Sequence, residues 1–286
     1  MPDKSEWVEP RSRQFSVLNP WLVLFLLLLG FLCRTIQLTR PLSHALVAVL
    51  VTLCFAIAAR LLQAVTMTAA IAGFVATAVL FVSEGLAMFG AVVLVFVLTH
   101  VATKFQRQRK ADAAIAERSG GRSGRQVLAN IGGAALSAAL AQLTPWHTAF
   151  ILGSIASLAE AASDTCASEI GKALAREPVM ITSGKVVPAG TNGAISLPGT
   201  FAGITASCLL AFEARLTGML TWSEAAAVVA IAIAGMFLDS FLGATLERQG
   251  KISNNGVNLL SSGFAVLAGV LLGKIRSGTL IPAVVR

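Results

Sequence analysis

Long apolar runs alternate with short polar or basic stretches along this chain. Leu, Val, Ala, Phe and Gly fill the runs without the period-2 alternation of barrel strands, so each run of bilayer-crossing length predicts a transmembrane helix. Nine spans are expected, at about Val17–Cys33, Leu42–Ala59, Thr66–Val82, Leu86–Thr103, Gln126–Gln142, Trp146–Leu174, Ala194–Phe212, Ser223–Thr245 and Gly256–Gly273. The predicted fold is all-α, a polytopic transmembrane helix bundle. Trp21, Trp146 and Trp222 each open a span, as interfacial anchors do. No A-x-A-like cleavage site precedes Arg34, so the first run is expected to be a retained span.

Composition agrees: 56% hydrophobic residues, 13% charged and a mean hydropathy of +0.78 exceed what a soluble domain can hide. Cys33, Cys54, Cys166 and Cys208 stand singly inside apolar runs, without zinc-like or disulfide-like spacing. The net charge of +8 does not indicate nucleic acid, because the basic residues belong to loops and no aromatic-interleaved basic module occurs. If the Lys104–Arg125 loop is cytoplasmic, alternation puts sixteen of the 22 Lys and Arg on that side, leaving Arg34, Arg40, Arg215, Lys274, Arg276 and Arg286 opposite. The expected location is the cell (inner) membrane, with the polar loops converging on its cytoplasmic face.

Polar residues inside the spans change the picture further. A carboxylate near mid-bilayer costs roughly 2.5–3.5 kcal/mol on insertion scales, so acids there imply a compensating partner. Glu160, Asp164 and Ser168 share one helix face, with Thr165 and Glu169 on the next. They suit a magnesium site, the plainer alternative being interfacial acids paired with Lys172 or Arg176. The Gly190-Thr191-Asn192-Gly193 turn precedes a helix and offers N–H groups to an anion, although an ordinary turn looks similar and no Walker motif is present. Asp239 lies between Gly235 and Gly243, either a ligand site or a packing acid between close helices. Asn254, Asn255, Asn258, Ser261 and Ser262 form a polar face that capping alone does not explain. Lys104, Arg107, Lys110 and Arg125 are candidates for phosphate contact or are simply a solvated loop.

Five ordered blocks carry a resemblance: Gly120–Asn130, Ser163–Gly171, Gly190–Gly203, Asp239–Thr245 and Asn254–Asn258. On these the chain resembles the membrane family of phytyl-phosphate kinase and transmembrane protein 19, over roughly residues 61–273. Residues 1–60, with two spans, and the tail at 274–286 lie outside it. The resemblance implies kinship with CTP-dependent lipid kinases and transfer of the CTP γ-phosphate to an isoprenoid monophosphate. It assigns Asp164, Glu169 and Asp239 to magnesium, and Lys104, Lys110 and Arg125 to charge neutralisation. Nucleotide and substrate contacts are then expected from Asn130 and Ser168, and from Gly190, Thr191, Asn192, Gly193, Ser196, Gly199 and Thr200. Ser240, Gly243, Thr245, Asn254, Asn255 and Asn258 complete the expected set. The implied partners are CTP, an isoprenoid phosphate lipid and the membrane, with no nucleic acid. A prenol kinase or cytidylyltransferase on the same scaffold, and an ion-coupled transporter, are the alternatives.

Overall fold

The least apolar of the long helices takes the centre of the bundle, where the others shield it. In the computed structural model, which describes residues 41–113, 115 and 121–277, the helices are α1 (Pro41–Leu61), α2 (Met67–Glu84), α3 (Leu86–Lys104), α4 (Arg107–Asp112), α5 (Gly124–Leu143), α6 (His147–Leu174), α7 (Leu197–Leu216), α8 (Trp222–Leu242) and α9 (Asn254–Arg276). Two short antiparallel strands, β1 (Val179–Met180) and β2 (Ala194–Ile195), lie between α6 and α7, and α8 runs on into a π-helical turn at Gly243–Glu247. Among the described residues, seven helices are long and apolar enough to cross a membrane. The eighth long helix is α6, enriched in Ser, Ala and acids. The span expected at 17–33 lies outside the described residues.

Every residue of α6 from Ile151 to Ser163 is buried. Glycines let its neighbours approach: a Cβ on Gly269 of α9 would sit 2.7 Å from the Gly153 Cα, and one on Gly203 of α7 would sit 2.9 Å from the Ser163 carbonyl. On α8, a Cβ on Gly235 would meet the Glu160 side chain at 2.5 Å. Such small-residue contacts replace the hydrophobic drive that lipid removes. Hydroxyls add to them, Ser154 donating to the Ala134 carbonyl at 2.9 Å and Ser262 to the Ala129 carbonyl at 3.0 Å.

All the motif-bearing loops meet at one end of this bundle. The Arg122 segment is stitched to the α1–α2 loop, with Arg122 N–H donating to the Ala64 carbonyl at 3.1 Å and Thr66 N–H to the Arg122 carbonyl at 3.0 Å. Gly121, at φ +82°, permits this, since a Cβ would collide with the Ala64 peptide. Arg248, after the π turn, reaches the Met180 sulfur of β1 at 3.7 Å. At the opposite end the last turn of α9 is tied down: Arg276 donates to Ser223 at 2.8 Å, and the Lys274 ammonium lies 3.5 Å from the centroid of Trp146.

Among the boundaries that depart from the sequence expectation, the start of α7 has a visible cause. The span expected from Ala194 begins at Leu197, because Ala194 and Ile195 pair with Met180 and Val179 first. Ser196 then caps the helix, its Oγ accepting from Gly199 N–H at 3.3 Å.

Candidate active site

Asp164 of α6 and Asp239 of α8 border the same two polar cavities. Their helices are held together by the Gly235 and Gly203 contacts, which bring α7 and α8 close to α6 beneath the acids. Asp239 is oriented from α9: Ser261 donates to its Oδ2 at 3.2 Å, and the amide group of Asn258 lies 3.3 Å from the same oxygen. Asn258 pairs in turn with Asn130 of α5 at 2.7 Å. Residues 254, 258 and 261 thus form the one polar face of α9 that points at the acids. Among the described residues, neither aspartate takes part in an ion pair.

The first polar cavity, about 160 Å³, lies between the two aspartates and the Gly-rich loop. Gly190 and Gly193 have φ of +82° and +79°, a conformation that other residues adopt only under strain. A Cβ on Gly193 would collide with the backbone of Ala244, so the loop lies directly against the π turn that follows Asp239. Thr191, Asn192, Gly193, Ser196, Gly199 and Thr200 face this cavity, with Ser240, Gly243 and Glu247 opposite. Loop N–H groups and the α7 N-terminus form an anion cradle next to two acids.

The second polar cavity, about 210 Å³, shares Asp164, Ser168, Lys172, Asp239 and Asn254 with the first. Its further walls are Thr103, Ile115, Arg122, Gln126, Asn130, Thr165, Glu169 and Asn258. Arg122 enters it braced by Thr99 at 2.8 Å and Thr103 at 3.4 Å. A third cavity, apolar and about 300 Å³, lies between α1, α2, α3 and α5.

Residues 50–267 match the model of a family described as an integral membrane protein, DUF92. The chain belongs to the DUF92 family of integral membrane proteins. It is 34% identical over 184 residues to an uncharacterized membrane protein of Synechocystis sp., covering 61% of this chain and 70% of that one. It is 33% identical over 198 residues to the chloroplastic protein VTE6 of Arabidopsis thaliana (66% of this chain, 59% of the relative). A membrane protein of Methanocaldococcus jannaschii is 40% identical over 125 residues (43% and 51%). The chain therefore spans between about half and seven-tenths of these relatives. The matches agree with the resemblance to the phytyl-phosphate kinase and transmembrane protein 19 family. No solved structure matches the chain.

In this DUF92 protein most of the residues singled out from sequence converge, and a few do not. Glu169 borders the second polar cavity, but its carboxylate is taken up by Lys110 and by Lys172, the latter at 2.9 Å. Two ammonium partners leave it little capacity for a cation, so it stands apart from the aspartate pair as a metal ligand. Lys110 is buried and also donates to the Ala102 and Thr103 carbonyls at 3.2 and 2.9 Å, which makes it a clamp between α4, α3 and α6 rather than a phosphate contact. Arg125 is exposed on α5 and borders none of the three cavities; Asn255 and Thr245 border none either, and Thr245 donates to the Phe241 carbonyl at 2.7 Å. Lys104 stands at the mouth of the apolar cavity. The basic residues at the polar cavities are Arg122 and Lys172, and the sequence carried a signal for the first. Ser123 and Gln126 form a capping box, which puts Arg122 just outside the helix, free of its surface pattern, and Arg125 within the first turn.

Among the described residues no three His, Cys, Asp or Glu side chains converge as a metal cluster. Two carboxyl groups in no ion pair among the described residues, beside an anion cradle, nevertheless suit a hard divalent ion. Magnesium keeps several waters and is held by one or two carboxylates plus substrate phosphates.

Proposed function

We propose that this protein is a kinase of membrane isoprenoid phosphates, transferring the γ-phosphoryl group of CTP to an isoprenoid monophosphate such as phytyl or geranylgeranyl phosphate. The observation that carries the reading is the pair of aspartates, in no ion pair among the described residues, shared by two adjoining cavities, one built as an anion cradle, the other lined by Arg122, and both by Lys172. The nucleotide phosphates lie in the first cavity, against the N–H groups of the Gly190–Ser196 loop and the α7 N-terminus. The acceptor phosphate enters the second cavity, facing them across Asp164 and Asp239.

An oxygen of the acceptor phosphate attacks the γ-phosphorus, the bond from that phosphorus to the β-bridging oxygen breaks, and CDP leaves. A phosphate monoester with a second pKa near 6 is mostly dianionic at neutral pH, so no side chain has to remove a proton. Arg122 and Lys172 offset the charge on the acceptor side, and Asn254 and Asn258 hold the groups in line. Magnesium held by Asp164 and Asp239 would supply charge neutralisation between the phosphates. An alcohol acceptor would need a positioned base. Glu169, clamped by two lysines, is poorly placed for that work, which favours the phosphate acceptor.

The motif end faces the cytoplasm in this reading, where CTP is available and where most basic residues fall. The test is the purified protein in detergent with phytyl, geranylgeranyl and farnesyl phosphates, magnesium and each nucleoside triphosphate. Lipid diphosphate with CDP is expected. Pyrophosphate release would mark a cytidylyltransferase, and no turnover from a folded preparation contradicts the kinase.

A further inference from the structure

We propose that the apolar cavity between α1, α2, α3 and α5 is the seat of the acceptor's hydrocarbon chain, with Arg122 holding the phosphate at its mouth. The assignment rests on the kinase reading for the identity of the amphiphile. It rests on the structure for the place.

Three features point there. The cavity wall is largely apolar, with small residues at Ala56, Ala69 and Gly73 and large ones at Phe55, Val92 and Phe96. Its charged lining residues, Lys104, Arg107 and Arg122, lie at the motif end together with His100 and Thr103, while Thr77 lies deeper. It also adjoins the second polar cavity, with Thr103, Arg122, Asn130 and Thr165 forming part of both walls. A molecule with its anionic head beside Asp164 and Asp239 would therefore have its apolar part in this cavity. Along α3 the lining runs from Thr103 to Val92, about 16 Å at 1.5 Å per residue. That depth suits the head-proximal part of one extended chain.

A bilayer solvates hydrocarbon about as well as this cavity does, so the cavity selects by shape rather than by adding hydrophobic affinity. Charge at the mouth supplies the affinity. The guanidinium of Arg122, braced by Thr99 and Thr103, presents fixed donors to a phosphate, with the Lys104 and Arg107 charges beside it. Gly73 is the point at which the groove can be closed. A Cβ there meets only Val127 Cγ1, at 3.9 Å, so the backbone accepts a side chain and the cavity loses its space.

The experiment uses the full chain in lipid nanodiscs with a geranylgeranyl phosphate carrying a photoactivatable diazirine in its chain, mapped by mass spectrometry alongside turnover on the same samples. Adducts are expected on the lining of α1, α2 and α3, competed by geranylgeranyl phosphate and not by geranylgeraniol. Gly73→Leu should lower them at least tenfold while CTP-induced thermal stabilisation persists, and Arg122→Gln should abolish the preference for phosphate over alcohol. Competed adducts on outward faces of α7 or α9 with turnover intact, or unchanged labelling in Gly73→Leu, overturn the cavity assignment and leave the kinase reading standing. Competed adducts in the cavity with no turnover from any nucleotide overturn the kinase and keep an isoprenoid-phosphate site. No competed adducts anywhere overturns the cavity assignment, with turnover on those samples deciding the kinase separately.

Discussion

Asp164 and Asp239 set two carboxyl groups on the same two cavities inside a membrane bundle, where charge on both is costly. Neutralising one should therefore relieve the fold and disable the site. Asp164→Asn and Asp239→Asn are each expected to lower turnover on the order of 100-fold, the loss falling on dependence on magnesium and nucleotide, with no loss of thermal stability. Near-normal turnover at low magnesium in either variant would identify that residue as a packing acid. Lys110 behaves in the opposite way. Its side chain is 1% exposed and that of Glu169 8%, so Lys110→Met leaves a buried carboxylate with half its partners. Removing one partner of a buried pair costs about 3–5 kcal/mol, read as a fall in melting temperature, and adding Glu169→Gln should restore part of it. An activity loss without a stability loss in Lys110→Met would return that lysine to the phosphates.

Among the elements, helix positions were legible because lipid leaves the backbone no alternative: an apolar run of bilayer length has to be helical, and its ends show as loops. The eight expected spans from Leu42 onward correspond to α1–α3 and α5–α9, most ends falling within a few residues. The polar face of α9 was legible for a related reason, since residues 254, 258 and 261 keep helical spacing in an otherwise apolar segment. Contacts far apart in sequence were not legible. The Lys110–Glu169 pair spans 59 residues, strands of two residues carry no periodicity, and the π turn after Asp239 leaves no mark on the apolar pattern. The Gly-rich loop shows both sides. Its glycines announced a turn, but only the structure puts Gly193 against Ala244. Gly193→Ala should cost roughly 1–2 kcal/mol in backbone strain and push the loop off the π turn, raising the KM for nucleotide more than that for lipid. An unchanged nucleotide KM would detach this loop from the phosphates.

For the whole molecule, the bundle is polarised. One end gathers the Gly-rich loop, Arg122, Lys172 and the mouths of the cavities, while the other ties Arg276 to Ser223 and Glu224 and lays Lys274 on Trp146. Lys274 and Arg276, two of the basic residues that alternation leaves opposite the basic loops, are thus held against the protein's own polar and aromatic surface. In a cysteine-free background, Ser183→Cys and Gln249→Cys should react with an impermeant maleimide only from the cytoplasmic side, and Thr217→Cys only from the other. Labelling of Ser183→Cys and Gln249→Cys from opposite sides would break the shared-end architecture. The central claim is that the two polar cavities pass a phosphoryl group between a nucleotide and a lipid phosphate. Its most direct test is to follow CTP labelled at the γ-phosphate with geranylgeranyl phosphate and magnesium. The account predicts label in the terminal phosphate of geranylgeranyl diphosphate, one for each CDP released and none without the acceptor; label released as pyrophosphate, or retained in CTP by a folded and nucleotide-bound protein, would contradict it.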